Sequence, residues 1–192
     1  MQKHLPHHFE SRHLPSFGWV REIVFGLNDG IVSTFALLAG ITGAVISWEA
    51  LIIAALVEIV TGALSMSLGT FISTKSQIEF YQGNLDGKKH IKKEVKALKD
   101  GFENPEIAAV QIGIAFLIGG LIPLWPYLVW VEQYALWVSV ACTLGFLFLV
   151  GVLKSRFTHK IWWHSGMEMV IIAALAGFIS YYLGVFVSSL VS

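Results

Sequence analysis

Five stretches of this chain stay apolar for about 20 residues or more, the length a helix needs to cross a ~30 Å hydrocarbon layer. Inside lipid every backbone N–H and C=O must be satisfied within the protein, and a helix does this segment by segment. The fold expected is therefore all-α, a polytopic membrane protein with five transmembrane helices. Composition agrees. Of 192 residues, 55% are hydrophobic and 14% charged, against roughly 25% charged in soluble domains. The spans are expected at about 20–46, 50–81, 107–129, 134–153 and 163–191. The second exceeds what a bilayer needs and should project from one side as a continuous helix. Residues 1–19 form a polar tail with four histidines, His4, His7, His8 and His13, at no defined metal-site spacing. The tail lacks the pattern of a cleaved secretory signal. The lone Cys142 excludes a disulfide framework and reads as a small buried hydrophobe.

Charge placement predicts orientation. Lys3, Arg12 and Arg21 precede or open the first span, Lys75 lies in the projecting end of the second, and Lys88, Lys89, Lys92, Lys93, Lys96 and Lys99 follow it. Lys154, Arg156 and Lys160 lie between the fourth and fifth, which completes the 13 Lys and Arg of the chain. Cytoplasmic loops collect such residues. The N-terminus is expected in the cytoplasm and the C-terminus outside. The same bias makes any oligomer a parallel one.

The first span carries a carboxylate at depth. Asp29 lies nine residues past Val20, roughly 13 Å in at ~1.5 Å per residue. An acid there is costly and marks a functional site by default. The second span carries Glu58, and Met66 lies eight residues on, sharing a face with it. Gly62, Ser65, Gly69 and Ser73 continue a small, slightly polar stripe. Tight helix packing explains the stripe, but not a glutamate and a thioether on it. Two carboxylates and a sulfur suit a divalent first-row ion such as Fe(II), with Mn(II), Co(II) or Zn(II) as alternatives. Desolvation raises the pKa of a buried acid, so carboxylates at depth can exchange protons for metal near neutrality. Asn28 is a second polar residue beside Asp29. It offers a carbonyl to an ion, or caps a break in the helix near Gly30. Glu22, seven before Asp29, faces the same way at the cytoplasmic end, as a cation entrance or as a partner of Arg21. His164 and Glu168 are four apart and read as an interfacial pair or a proton relay.

The stretches REIVFGLNDGIVSTFALLAGITGA at Arg21–Ala44 and ALSMSLGTFISTKSQ at Ala63–Gln77 resemble the vacuolar iron transporter family, which includes the yeast calcium-cross-complementer and plant nodulin-like proteins. The resemblance continues more weakly through IGGLIPLWPYL and the last two spans. It implies five helices, a parallel homodimer, and export of Fe(II), often also Mn(II), from the cytosol against protons. The path would lie between the first two helices of both protomers. The family's intramembrane Asp falls on Asp29, its buried Glu on Glu58 and its Met on Met66. Asp29 and Met66 would bind the ion, and Glu58 would bind it or carry protons further out.

Two features depart from that pattern. Many members have Gly-Glu where this chain has Gly69-Thr70. Well-studied members also carry a Glu-rich metal-binding domain between the second and third spans. Here only Gln82 to Pro105 is available, with a short basic amphipathic helix expected at about 88–102. Its six lysines would repel a cation, so no loop ligand is carried over. The expected partners are a divalent metal ion, the lipid bilayer and a second copy of the chain, with protons as counter-ion. No nucleic acid, no resident cofactor and no enzyme activity are expected. An intramembrane protease would need Ser with His or Lys, or paired aspartates, and gives Met66 no part. The remaining alternatives are a metal channel and a non-transporting membrane scaffold. The lack of a cleaved-signal pattern and the small size make a prokaryotic cytoplasmic membrane the expectation over a vacuolar or other organellar one.

Overall fold

A computed structural model describes residues 18–83, 104–129, 132–158 and 161–191. These form five helices, α1 (Gly18–Gly43), α2 (Trp48–Gly83), α3 (Pro105–Val129), α4 (Glu132–Thr158) and α5 (Trp162–Val191). Each is long and apolar enough to span a membrane, and no strand occurs among the described residues. The polar tail up to residue 17 and the amphipathic helix expected at 88–102 lie outside the described residues.

Helix α1 is the centre of the bundle and touches all four other helices, most extensively α3. Glycine sets that contact. A Cβ on Gly26 would lie 2.6 Å from the Ile112 carbonyl oxygen, and one on Gly30 would strike the Phe116 carbonyl. On the opposite helix, a Cβ on Gly119 would lie 2.6 Å from the Leu27 carbonyl. The two backbones meet where side chains are absent, the usual solution in membranes, where lipid removes most of the hydrophobic drive between helices. Contacts advance together from Gly26 to Gly30 and from Ile112 to Phe116, so α1 and α3 run parallel.

At one end of the bundle Leu38, Leu51, Ala55, Ile59, Leu124, Tyr127 and Ala135 form a buried apolar cluster. The Tyr127 hydroxyl lies 3.2 Å from Thr42 Oγ1. Thr42 donates its own proton to the Leu38 carbonyl at 2.7 Å, so Tyr127 is the donor between them. A second cluster, Ile31, Leu147, Val150, Met169 and Ala173, joins α1 to α4 and α5.

Local sequence accounts for the ends. Helix α1 stops at Gly43, short of the expected 46. Val45 takes φ 56°, which reverses the chain, and Ser47 Oγ accepts the Ala50 N–H at 3.4 Å to open α2. Helix α3 begins with Pro105 behind Asn104, whose Oδ1 accepts the Glu106 N–H at 3.4 Å. Pro123 and Pro126 lie within α3. Ser139 of α4 donates to the Pro123 carbonyl at 2.7 Å, a bond from side chain to backbone inside the bundle. Helix α2 has 36 residues, about 54 Å at 1.5 Å per residue, well beyond the ~30 Å of hydrocarbon.

Candidate metal path

Close contacts fix the relative depth of the polar residues. Phe116 abuts Gly30 of α1 through its backbone and Gly62 of α2 through its ring, so Gly30 and Gly62 sit at one level. Gly113 meets Ser67, and Gly120 meets both Ile59 and Thr34, so α2 runs antiparallel to α1 and α3. With ~1.5 Å per residue, Asp29 lies between Met66 and Glu58 in depth, about 4 to 5 Å from Met66 and about 7 to 8 Å from Glu58. Glu22 lies about 6 Å beyond Met66, level with Thr70. Four candidate residues thus form a ladder of Glu22, Met66, Asp29 and Glu58, spread over about 18 Å of depth.

The lower rungs border a cavity of about 510 Å³ lined by Arg21, Glu22, Phe25, Ser65, Met66, Gly69, Thr70, Ser73, Thr74 and Ile112. Three of the four small residues read along α2 from sequence, Ser65, Gly69 and Ser73, face it. The fourth, Gly62, takes the Phe116 ring instead. Glu22 is 3% exposed. Its Oε1 accepts from Arg21 Nε at 2.9 Å, so Glu22 does partner Arg21. Its Oε2 is buried with no hydrogen-bond partner among the described residues. A buried carboxylate oxygen left without a partner is costly.

Asp29 is half-buried and carries no side-chain hydrogen bond among the described residues. Glu58 differs. Its Oε2 accepts from the buried Thr34 hydroxyl at 2.7 Å. Met66 is half-buried on α2, where Ser65, Gly69 and Ser73 are exposed. Helix α1 runs unbroken past Asn28 and Gly30, so the helix break considered near Gly30 is absent, and Gly30 serves close packing instead. His164 stacks on Trp163 with ring centroids 3.9 Å apart.

Among the described residues no group of three or more His, Cys, Asp and Glu is gathered to hold a metal ion. The ladder residues are separate rungs, not one closed site. The residues that sequence reading passed over are Thr34 and Thr74. A threonine inside an apolar span is a weak signal, since its hydroxyl is satisfied locally in most helices.

The model of the VIT family matches residues 20–103 and 88–185. The chain belongs to the VIT family. It is 30% identical to "Vacuolar iron transporter 1" of Oryza sativa subsp. japonica, over 93% of this chain and 89% of that protein. It is 28% identical to the Tulipa gesneriana protein of the same name, over 90% of this chain and 88% of that one. For the Arabidopsis thaliana protein, also "Vacuolar iron transporter 1", the figures are 29%, 90% and 87%. The rice alignment spans 227 positions, more than this chain's 192 residues, so the rice protein contains segments absent here. The family match divides where residues 88–103 overlap, between α2 and α3.

These relatives correct one expectation. A prokaryotic cytoplasmic membrane does not stand, because the relatives are plant proteins named for the vacuole and point to a eukaryotic organellar membrane. Lys and Arg placement reports which side of a membrane each loop takes, and carries no information about which membrane it is.

Proposed function

We propose that this VIT-family chain carries iron, as Fe(II), out of the cytoplasm across an organellar membrane in exchange for protons, with Mn(II) as a second ion. The observation that carries this reading is the ladder. A cavity at the Arg21 end is lined by Glu22 and Met66, and Asp29 and then Glu58 stand beyond Met66 in depth. Oxygen and sulfur donors about one helical turn apart let a hydrated ion exchange waters for protein ligands in steps. The basic residues around that end favour its placement in the cytoplasm. The names of the relatives support iron as cargo and transport over catalysis.

In this reading Glu22 draws the cation into the cavity, and Met66 and Asp29 bind it. Glu58 binds it next or takes up the proton that travels the other way. Metal arrives on deprotonated carboxylates, so each arrival releases protons and each departure regains them. Two protomers complete the site in a parallel homodimer. Asp29 and Met66 are only half-buried in one chain, and Ser65, Gly69 and Ser73 lie exposed at membrane depth beside them. Polar groups at that depth belong against protein or water and not against lipid.

The test is Fe(II) uptake into proteoliposomes under an imposed pH gradient, comparing the wild type with Asp29→Ala. Uptake should need both the gradient and Asp29, with the variant at least about 100-fold slower, as expected when a ligand of a dehydrated ion is removed. Uptake without the gradient identifies a channel, and a wild type that moves no ion identifies a scaffold.

A further inference from the structure

Glu58 is held in place by a residue that no motif singles out. Helix threonines usually return their hydroxyl to the carbonyl four residues back. Thr42 does so to Leu38, and Thr61 to Val57, each at 2.7 Å. Thr34 does not. Its hydroxyl reaches from α1 to α2 and donates to Glu58 Oε2 at 2.7 Å. Thr34 is fully buried, so the donor end of the bond is shielded from water, while Glu58 is only partly buried. Space for it comes from α3. A Cβ on Gly120 would lie 2.9 Å from Thr34 Oγ1 and 2.7 Å from Ile59 Cγ1, so a larger residue there would displace the hydroxyl from its partner. Depth agrees as well, since Thr34 and Glu58 each lie four residues from the shared Gly30–Gly62 level. The two membrane acids are therefore unlike. Among the described residues Asp29 carries no side-chain hydrogen bond, whereas Glu58 has one oxygen committed to Thr34 and no hydrogen-bond partner on the other.

We propose that Thr34 is a positioning residue for Glu58, holding its carboxyl against α1 so that the free oxygen Oε1 is presented to the transported ion or its counter-proton. The proposal rests on the transport reading above. It concerns orientation, which is measurable without transport.

Thr34→Val keeps the shape and removes the donor, and Thr34→Ser keeps the donor. The infrared carboxyl band of Glu58 is identified by subtracting the Glu58→Gln spectrum of purified protein. This band should shift in Thr34→Val and stay in place in Thr34→Ser. In proteoliposomes, Thr34→Val should lower the maximal Fe(II) uptake rate about tenfold, as loss of alignment does, with KM within about twofold of wild type. Thr34→Ser should restore the rate. An unmoved Glu58 band in Thr34→Val overturns the proposal. So does a shifted band with wild-type uptake, or a Thr34→Ser protein as slow as Thr34→Val. A wild type that moves no ion overturns the transport reading instead, and the band alone then decides whether Thr34 orients Glu58.

Discussion

On its α3 side, helix α1 is packed backbone to backbone, with Gly26 and Gly30 against Ile112 and Phe116. Towards α2 the contact is sparse, marked by the bond from Thr34 to Glu58 and by a cavity below it. The same helix thus has a face built for rigidity and a face built for chemistry. Glycine explains the first, because close backbones leave no room for alternative packing. Charge explains the second. Asp29, Glu22 and Glu58 need water, an ion or a partner within reach, which a tightly packed face would exclude. A frame of α1 and α3 that cannot yield, beside a face that is open, suits a protein that must admit and release an ion. The glycines repeat the contrast, since Gly30 has no room for a Cβ and Gly69, on the open side, has nothing within 4 Å of one.

Substitutions can break or sharpen this contrast. The largest effect is expected on the open face. Gly69→Trp should fill the cavity and lower Fe(II) uptake at least about 100-fold in the proteoliposome assay, while detergent-purified protein keeps its helical circular dichroism. A loss of folded protein would show that this face is packed after all. Next comes the matched pair Gly30→Ala and Gly69→Ala, compared by equilibrium unfolding in detergent. Overpacking against the Phe116 backbone should cost about 1–3 kcal/mol at position 30. At position 69 the better helix former should cost nothing or add up to about 1 kcal/mol. Equal effects at the two sites would erase the distinction between the faces. Smallest is Val45→Gly in the turn after α1. A β-branched residue at φ 56° is strained, and glycine should raise stability by about 1 kcal/mol without altering uptake. A destabilised variant would mean that the turn is held by more than its backbone.

Much of this was legible in the residues alone. The apolar runs required five membrane-crossing helices because a continuous apolar run of about 20 residues matches a spanning helix, which satisfies its own backbone hydrogen bonds in lipid. The VIT family was legible in Arg21–Ala44 and Ala63–Gln77, where an acid at depth and a Met on a small-residue stripe stand at the family's spacing. The membrane was not legible. A missing cleaved signal and a small chain do not tell one membrane from another, and Lys and Arg record only a side, so the cytoplasmic-membrane expectation gave way to the plant vacuolar relatives.

What only the tertiary structure decided is how these residues stand to one another. Periodicity places a side chain on a face of its own helix, and depth in one helix says nothing about depth in the next until a contact ties them. Phe116, lodged against both Gly30 and Gly62, supplies that tie and puts Asp29 between Met66 and Glu58. The packing also shows that Gly30 serves close contact and not a broken helix, and that one buried oxygen of Glu22, which lines the cavity, has no hydrogen-bond partner among the described residues. Thr34 is the clearest case. In sequence it is one more hydroxyl in an apolar run, and its bond to Glu58 exists only because Gly120 of a third helix leaves room for it. A hydrogen bond between helices depends on angles and ångströms that packing sets, and a single helix's sequence cannot encode them.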